Sequence, residues 1–121
     1  IVFVLESVVS ADDITTGVKG SVLIPFDCTI EGVTLLSSDA NSTAGDIVID
    51  IWKDVYANYP PTVADTITAA AKPTLSSASK YQDLTLTGWT VAITDGDVLT
   101  FNVDSVNGIS RATLILHIEK V

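Results

Sequence analysis

The feature that most constrains this chain is an alternating stretch over residues 46–52. Its isoleucines, Ile47, Ile49 and Ile51, are separated by single residues of other kinds. A pleated strand directs successive side chains to opposite faces, so the three isoleucines share one face. Burying each of them is worth about 1.5 to 3 kcal/mol. We therefore predict a central strand whose isoleucine face lies in the core.

The alternation stops at Tyr59-Pro60-Pro61, because proline lacks the N–H that a strand ladder needs and restricts the residue before it. Between Pro60 and Leu84 the chain is rich in Thr, Ser, Ala, Asp and Lys and shows no clear strand pattern. We predict one long ordered loop with at most one short helix. Loops of this length in compact domains are usually functional, so we expect residues 56–81 to form the working surface.

Short alternating segments separated by turn residues make up most of the remaining chain. The predicted strands cover residues 1–9, 21–26, 29–36, 84–93, 97–103 and 110–121. Pro25 predicts that the second strand lies at a sheet edge or is bulged there. Asp95-Gly96 and Asn107-Gly108 are strong hairpin signals. Strands in this arrangement, without helices between them, predict an all-β fold, an antiparallel β-sandwich that is jelly-roll-like.

The length of 121 residues suits one domain, with residues 1–13 as an N-terminal arm or linker strand. The chain contains no methionine, and its apolar start is too short for a signal peptide and lacks a basic region. We expect a processed or excised piece of a longer protein. Its apolar segments stay well below the ~20 residues that a spanning helix needs, so we predict no membrane partner.

The charge balance is strongly acidic, with 15 Asp and Glu against 6 Lys and Arg, a net charge of −9. This balance opposes the phosphate neutralisation that drives nucleic-acid binding. The acidic residues are dispersed along the chain, which is typical of a solvated surface. We predict no nucleic-acid partner.

Cys28 and His117 are the only residues of their types. A lone cysteine forms no internal disulfide, and no zinc-ligand spacing is present, so Cys28 is expected to pack in the core. His117 lies in mid-strand, on the face opposite Leu114 and Leu116. No nucleophile motif such as Gly-x-Ser-x-Gly accompanies it, so a structural or solvent-facing role is expected.

Two carboxylate pairs are candidate sites of chemistry: Asp46 with Asp50 on one strand face, and Asp95 with Asp97 across a turn. Either could bind calcium with loop carbonyls, but no EF-hand loop is present. A glycosidase pair is a further alternative. The favoured interpretation is that the protein is not an enzyme and has no catalytic, metal-binding or cofactor-binding residues.

The aromatic residues leave two interpretations open. Trp52, Trp89, Tyr56 and Tyr59 could form a stacking platform for a sugar. Alternatively, both tryptophans lie in the core and the tyrosines at the sandwich edge, where they would be available for a subunit contact, since tyrosine is enriched at interfaces. The candidate interface or ligand residues are Tyr56, Tyr59 and Tyr81.

The string Trp-Lys-Asp-Val-Tyr-Ala-Asn-Tyr-Pro-Pro over residues 52–61, with the stretches 71–74, 86–89 and 96–104, resembles a β-rich domain that recurs in virion proteins of tailed bacteriophages. The resemblance extends over residues 14–118. It implies a structural module of fibre, tail or head-surface proteins. It carries over no catalytic residue, and it implies that the motif residues determine the fold.

Together, the residues and the resemblance predict a virion surface protein, serving as capsid decoration or as a head-fibre or tail-fibre module. We expect it to self-associate as a homotrimer and to contact other virion proteins. The alternative is a carbohydrate-binding, receptor-recognising fibre tip whose aromatic loop binds a cell-surface glycan. A small glycoside hydrolase is a third alternative, which a cleft pairing two carboxylates would favour.

Overall fold

The computed structural model of the protein describes residues 2–6, 13–37 and 45–121, the first of these ranges by its backbone alone. These residues form nine strands, β1 Val2–Glu6, β2 Gly17–Leu23, β3 Cys28–Leu36, β4 Asp46–Val55, β5 Thr74–Ser76, β6 Lys80–Asp83, β7 Ala92–Ile93, β8 Asp97–Asn107 and β9 Arg111–Lys120. They also form two 3₁₀ turns, Tyr56–Asn58 and Val63–Asp65. Within the described ranges, no helix is long and apolar enough to cross a membrane.

The strands form two antiparallel sheets that pack face to face. The first sheet has the order β1-β9-β3-β6, with β7 also paired to β3, and the second has the order β2-β8-β4-β5. Through the first four strands the chain changes sheet at every step, and the last two strands lie in different sheets. This strand order is that of a jelly roll. The predicted antiparallel, jelly-roll-like sandwich is therefore confirmed.

Strand β4 occupies the position that its alternation predicts. It lies inside the second sheet, between β8 and β5, and Ile47, Ile49 and Ile51 are completely buried. The prediction of a central strand with a core-facing isoleucine face is confirmed. The core that surrounds them is built from both sheets and includes Val33, Leu35, Leu75, Leu99, Phe101, Val103, Leu114 and Leu116.

The N-terminal strand is an edge of the first sheet. It pairs with β9 over five positions, from Val2 opposite Ile115 to Glu6 opposite Arg111. The predicted strand over residues 1–9 is confirmed for this part, and residues 7–9 lie outside the described ranges. The N-terminal stretch thus finds its backbone partners within the sheet.

Strand β2 is an edge of the second sheet and has a register shift between Val18 and Gly20. The sequence predicted a strand over residues 21–26 with an edge or a bulge at Pro25. The edge is confirmed, but the strand begins four residues earlier and ends at Leu23, so Pro25 lies beyond it. The bulge falls at the start of the strand.

The prediction that residues 60–84 form one long loop is wrong in part, because this interval contains β5 and β6. These strands have only three and four residues, too few for an alternating pattern to stand out. β5 pairs with β4 in the second sheet, and β6 pairs with β3 in the first. The interval contains one 3₁₀ turn, Val63–Asp65, which agrees with the expectation of at most one short helix.

The predicted strand over residues 84–93 is wrong except for its last two residues, which form β7. The side chain of Asp83 accepts hydrogen bonds from the backbone N–H groups of Thr85 (2.9 Å) and Leu86 (3.0 Å), which turns the chain. Leu86 and Gly88 have left-handed backbone conformations, with φ of 54° and 80°. Such conformations are incompatible with an extended strand.

Candidate functional site

Tyr56 and Tyr59 lie on the loop that leaves the end of β4. The carboxylate of Asp54 accepts hydrogen bonds from the backbone N–H of Val55 (2.7 Å) and from the side-chain amide of Asn58 (3.1 Å). The N–H of Tyr59 bonds to the carbonyl of Tyr56 and closes the 3₁₀ turn. The turn is therefore held by local hydrogen bonds, and it presents both tyrosine rings to solvent, 75% and 53% exposed.

The two tyrosines border a shallow pocket of about 260 Å³ on the second sheet. We call this surface the tyrosine patch; its residues are Ser21, Val22, Leu23, Tyr56, Tyr59 and Val98. Leu23 is 51% exposed, although it belongs to a strand. The Tyr59 hydroxyl lies 3.5 Å from the Ser21 hydroxyl, which is itself 2.8 Å from that of Thr100. The patch thus combines apolar side chains with the hydroxyl groups of Ser21, Tyr56 and Tyr59.

Tyr81, the third candidate from the sequence, lies elsewhere. It belongs to β6, opposite Leu35 in the first sheet, and borders a separate pocket of about 380 Å³ lined by Thr34, Leu36, Lys80, Tyr81 and Gln82. Burial and the neighbouring Asp83 raise the pKa of its hydroxyl. The structure thus brings Tyr56 and Tyr59 together but separates Tyr81 from them, so residues 56–81 do not form one surface.

Leu23 and Val98 were not among the candidates from the sequence. A signal for Leu23 was present, because a strand directs Leu23 to the face opposite its neighbours Val22 and Ile24. A single large apolar residue on the outer face of an edge strand is such a signal. No local signal pointed to Val98, since its place beside Leu23 follows from the pairing of β2 with β8.

Asp50 is completely buried and is the centre of a polar cluster where the tyrosine loop returns to β4. Its carboxylate accepts hydrogen bonds from the Thr66 hydroxyl (2.6 Å), the Thr68 hydroxyl (2.7 Å), the Trp52 indole N–H (3.0 Å) and the Ile51 backbone N–H (2.8 Å). Burial acts to raise the pKa of Asp50, but these hydrogen bonds outweigh it, and the pKa lies below its ordinary value. The carboxylate is therefore ionised at neutral pH.

Lys72 balances this buried charge from the rim of the cluster. Its ammonium group lies 3.8 Å from Asp50 and 2.7 Å from Asp104. The hydrogen bond to Asp104 raises the pKa of Lys72; partial burial acts against this, and the charges of both aspartates add to the increase. Both carboxylates thus pair with one lysine, an arrangement typical of a structural ion pair.

The Asp50 cluster fixes the far end of the tyrosine loop to β4. Trp52 and Thr66 form an isolated antiparallel bridge, and the N–H of Ile67 bonds to the carbonyl of Ile51 (2.9 Å). The loop therefore leaves β4 at Val55 and returns to the same strand eleven residues later. Because both ends are attached to one strand of the sheet, Tyr56 and Tyr59 are held in place by the sandwich.

The charge of Asp50 makes the free energy of unfolding depend on pH in the acidic range. Because its pKa is lower in the folded protein than its ordinary value of 3.8, its contribution is complete above that value and is lost as pH falls through the folded pKa. We expect urea unfolding to show lower stability at about pH 3 than at about pH 5. Asp50→Asn, which does not titrate, should lose less over this interval. Equal losses in both proteins, or an unshifted Asp50 pKa by carboxyl NMR, would contradict this expectation.

The other carboxylates considered as pairs form hydrogen bonds within the fold. Asp46 is exposed, and its carboxylate accepts a hydrogen bond from the backbone N–H of Ser77 (2.8 Å). It therefore forms no carboxylate pair with Asp50, which is buried. Asp97 accepts the Thr94 N–H (2.9 Å) across its turn, as turn chemistry predicts. Asp95 donates its own N–H to Asp27 (2.7 Å). Among the described residues, no three His, Cys, Asp or Glu side chains are placed to hold a metal ion.

Cys28 and His117 occupy the positions expected of them. Cys28 is buried in the core, and burial together with nearby Asp27 raises the pKa of its thiol. His117 is exposed on β9 and lies 2.8 Å from the Thr34 hydroxyl. Trp89 is buried, and its indole N–H donates to the Ala71 carbonyl (2.9 Å), as a core residue would. Trp52 is half-buried beside Asp50.

Comparison of the chain with protein-family models, with curated proteins and with solved structures finds no match.

Proposed function

We propose that this protein is a structural module of a phage virion surface, a head-decoration or fibre module, that binds further copies of itself through the tyrosine patch. The observation that carries this proposal is the exposure of Tyr56 and Tyr59, on the loop after β4, beside Leu23 of β2. Contiguous exposed apolar surface of this kind marks interaction sites in soluble proteins. Tyrosine in particular is enriched at protein interfaces.

The way in which the patch is held also supports a role in binding. Binding costs free energy when mobile side chains and loops must be ordered. Here Asp54 and Asn58 fix the start of the tyrosine loop, and Asp50 with Thr66 fixes its end. The loop therefore loses little conformational entropy when a partner binds, and little of the free energy of the apolar contacts is spent on ordering it.

The residues that carry the resemblance to phage virion domains have two roles in the structure. Some of them fix the tyrosine loop, and others form the exposed patch. Trp52, in the quoted string, contributes to the buried Asp50 cluster, and Lys72 in a second stretch pairs with that cluster. Tyr56 and Tyr59, in the same string, form the exposed patch. The string thus combines residues that fix the loop with residues that the loop displays. This combination is what a module with a built-in contact surface requires.

Glycan binding at a fibre tip is the second candidate function. It is favoured by the exposed Tyr56 ring beside a pocket that carries the hydroxyls of Ser21 and Tyr59. The rest of the lining is apolar, and Ser21 already bonds to Thr100. Sugar sites need several polar groups for the sugar hydroxyls, so the patch suits a protein contact better. Binding on a glycan array, abolished by Tyr56→Ala, would favour this second function.

Replacing either patch tyrosine with alanine is expected to weaken self-association. Central tyrosines at interfaces often contribute 2 kcal/mol or more, so Tyr56→Ala or Tyr59→Ala should raise the dissociation constant by roughly tenfold or more. Leu36→Ala is the matched control, because Leu36 is also an exposed strand residue, 41% exposed, on the other sheet. Analytical ultracentrifugation over a concentration series measures the dissociation constant of self-association for all three variants.

The parent protein should give masses that are multiples of 12.7 kDa, with three copies as the number that the resemblance to fibre modules implies. Electron microscopy of virions that contain this chain tests its location on the head or the tail. A protein that stays monomeric at high concentration, and that is absent from the virion surface, would overturn the proposal. Equal loss of association in Leu36→Ala would show that the effect is not specific to the patch.

A further inference from the structure

Strand β2 combines an open sheet edge with part of the tyrosine patch. It pairs with β8 on one side, and no described strand lies on its other side. It is seven residues long, whereas β5, the opposite edge of the same sheet, has three. An open edge presents unpaired N–H and C=O groups and is a template for pairing with another chain.

The hydrogen bonds of Ile24, just beyond the end of β2, show which N–H and C=O groups of the strand point outward. Ile24 donates its N–H to the carbonyl of Asp97 (2.9 Å) and accepts the N–H of Gly96 (2.7 Å), so its backbone faces β8. Successive residues of a strand direct their backbone groups to opposite sides. Ser21 and Leu23 therefore direct their N–H and C=O groups outward. Pro25, the next position with this orientation, has no N–H to satisfy.

The stretch from Gly20 to Leu23 has none of the usual protection of an edge. Native edges are blocked by charged residues, prolines or bulges. In β2 the bulge and the charge of Lys19 are confined to the start of the strand, where the ammonium group bonds to the Thr15 hydroxyl (2.8 Å) and the Thr16 carbonyl (3.4 Å). The rest of the strand carries no charge and exposes Leu23 beside the tyrosines.

We infer that β2 pairs with β2 of a second copy, antiparallel and around a two-fold axis at Val22, so that the second sheets of two copies form one continuous sheet. In this register Ser21 of each copy lies opposite Leu23 of the other, and the outward groups of both residues bond across the axis. The inference rests on the self-association proposed above and specifies its geometry. The tyrosine patches then adjoin the same axis.

Charge supports a second copy as the occupant of this edge. The start of β2 carries Lys19, and the chain just beyond its end carries Asp27, which bonds to the N–H of Asp95 in an exposed acidic corner. Antiparallel pairing places the start of each strand beside the end of the other. The lysine of each copy therefore approaches the acidic corner of the other, and the two lysines stay apart. Complementary placement of this kind fixes register.

The test is a cross-link at the two-fold axis. Residues that face each other in a non-hydrogen-bonded antiparallel pair have Cα atoms about 4.5 Å apart, within the range that a disulfide spans. Val22→Cys should therefore form a disulfide dimer under mild oxidation, with the native Cys28 buried and free thiols blocked before denaturation. Leu36→Cys, on the other sheet, is the matched control and should stay unlinked. Far-UV circular dichroism checks that both variants fold.

A second variant tests the edge without cysteine chemistry. Leu23→Lys places a charge on the open stretch and should convert the dimer to monomer, whereas Leu36→Lys should leave the dimer intact. Because a two-fold contact closes at two copies, ultracentrifugation should give two copies for the parent protein, in place of the three that the resemblance to fibre modules implies. Oligomers that form without a Val22→Cys cross-link, or a trimer that persists in Leu23→Lys, would overturn the β2 pairing while leaving self-association standing. A parent protein that is monomeric at all concentrations would instead overturn the proposed function as well.

Discussion

Asp50→Ala is expected to lower the free energy of unfolding by about 3 to 5 kcal/mol, the cost of breaking a buried ionic cluster. The substitution leaves the hydroxyls of Thr66 and Thr68 and the indole N–H of Trp52 without their shared acceptor. It also leaves Lys72 with one carboxylate partner in place of two. Urea unfolding followed by tryptophan fluorescence measures the loss.

The matched control for this prediction is Asp46→Ala, on the same strand. Asp46 is exposed and accepts one hydrogen bond, from the backbone N–H of Ser77 (2.8 Å). Its removal should cost about 0.5 to 1.5 kcal/mol, the net worth of a single hydrogen bond. Similar losses in the two variants would show that the Asp50 cluster contributes no more than an ordinary surface contact.

Loss of the Asp50 cluster should also affect the tyrosine patch. The cluster fixes Thr66, where the tyrosine loop returns to β4. In Asp50→Ala the loop has one attachment fewer, so binding must order it at additional cost. Self-association should therefore weaken in Asp50→Ala under conditions where the protein is still folded, and it should be unchanged in Asp46→Ala.

Ile49→Ala is expected to cost about 2 to 5 kcal/mol, the range for truncating a buried isoleucine and leaving a cavity. Ile49 is completely buried at the centre of β4 and is surrounded by core residues from both sheets. Strands pair on both sides of β4, so the backbone has little freedom to collapse into the space. Denaturant unfolding measures the loss, with circular dichroism to check that the spectrum stays β-dominated.

Ile115→Ala is the control for the cavity. Ile115 lies in mid-strand on β9 but is only partly buried, between the core-facing residues Leu114 and Leu116. Its truncation removes less buried surface and leaves no enclosed cavity, so a loss of about 1 kcal/mol is expected. If Ile49→Ala cost less than half a kcal/mol, the central role of β4 in the core would be refuted.

The sequence alone determined the framework of the sandwich. The period of two in β4 depends only on local chain geometry, and it identified the core face of Ile47, Ile49 and Ile51, all of which are completely buried. Turns at Asp95-Gly96 and Asn107-Gly108 were also predictable, because glycine adopts there a positive φ, 92° at Gly96 and 75° at Gly108, that other residues rarely do. These features are encoded within a few neighbouring residues. The hairpins that these signals predicted are wrong, because the turns join β7 to β8 and β8 to β9, which lie in different sheets.

The short strands were decided by tertiary structure. β5 and β6 are too brief to show a period, and they are strands because β4 and β3 offer them edges to pair with. The same crossing from the second sheet to the first separates Tyr81 from Tyr56 and Tyr59. Spacing along the chain could not show this, because the two edges belong to different sheets.

The candidate site was decided in the same way. Asp46 and Asp50 share a strand face in the sequence pattern, yet one is exposed and the other completely buried. The difference arises because Thr66 and Thr68 return to cover Asp50 from sixteen and eighteen residues away. Likewise, Leu23 meets the tyrosines only because β2 and β4 flank the same strand, β8. Local chain geometry fixes which face a side chain takes, but its burial and its neighbours depend on segments that are distant in sequence and packed together only in the folded protein.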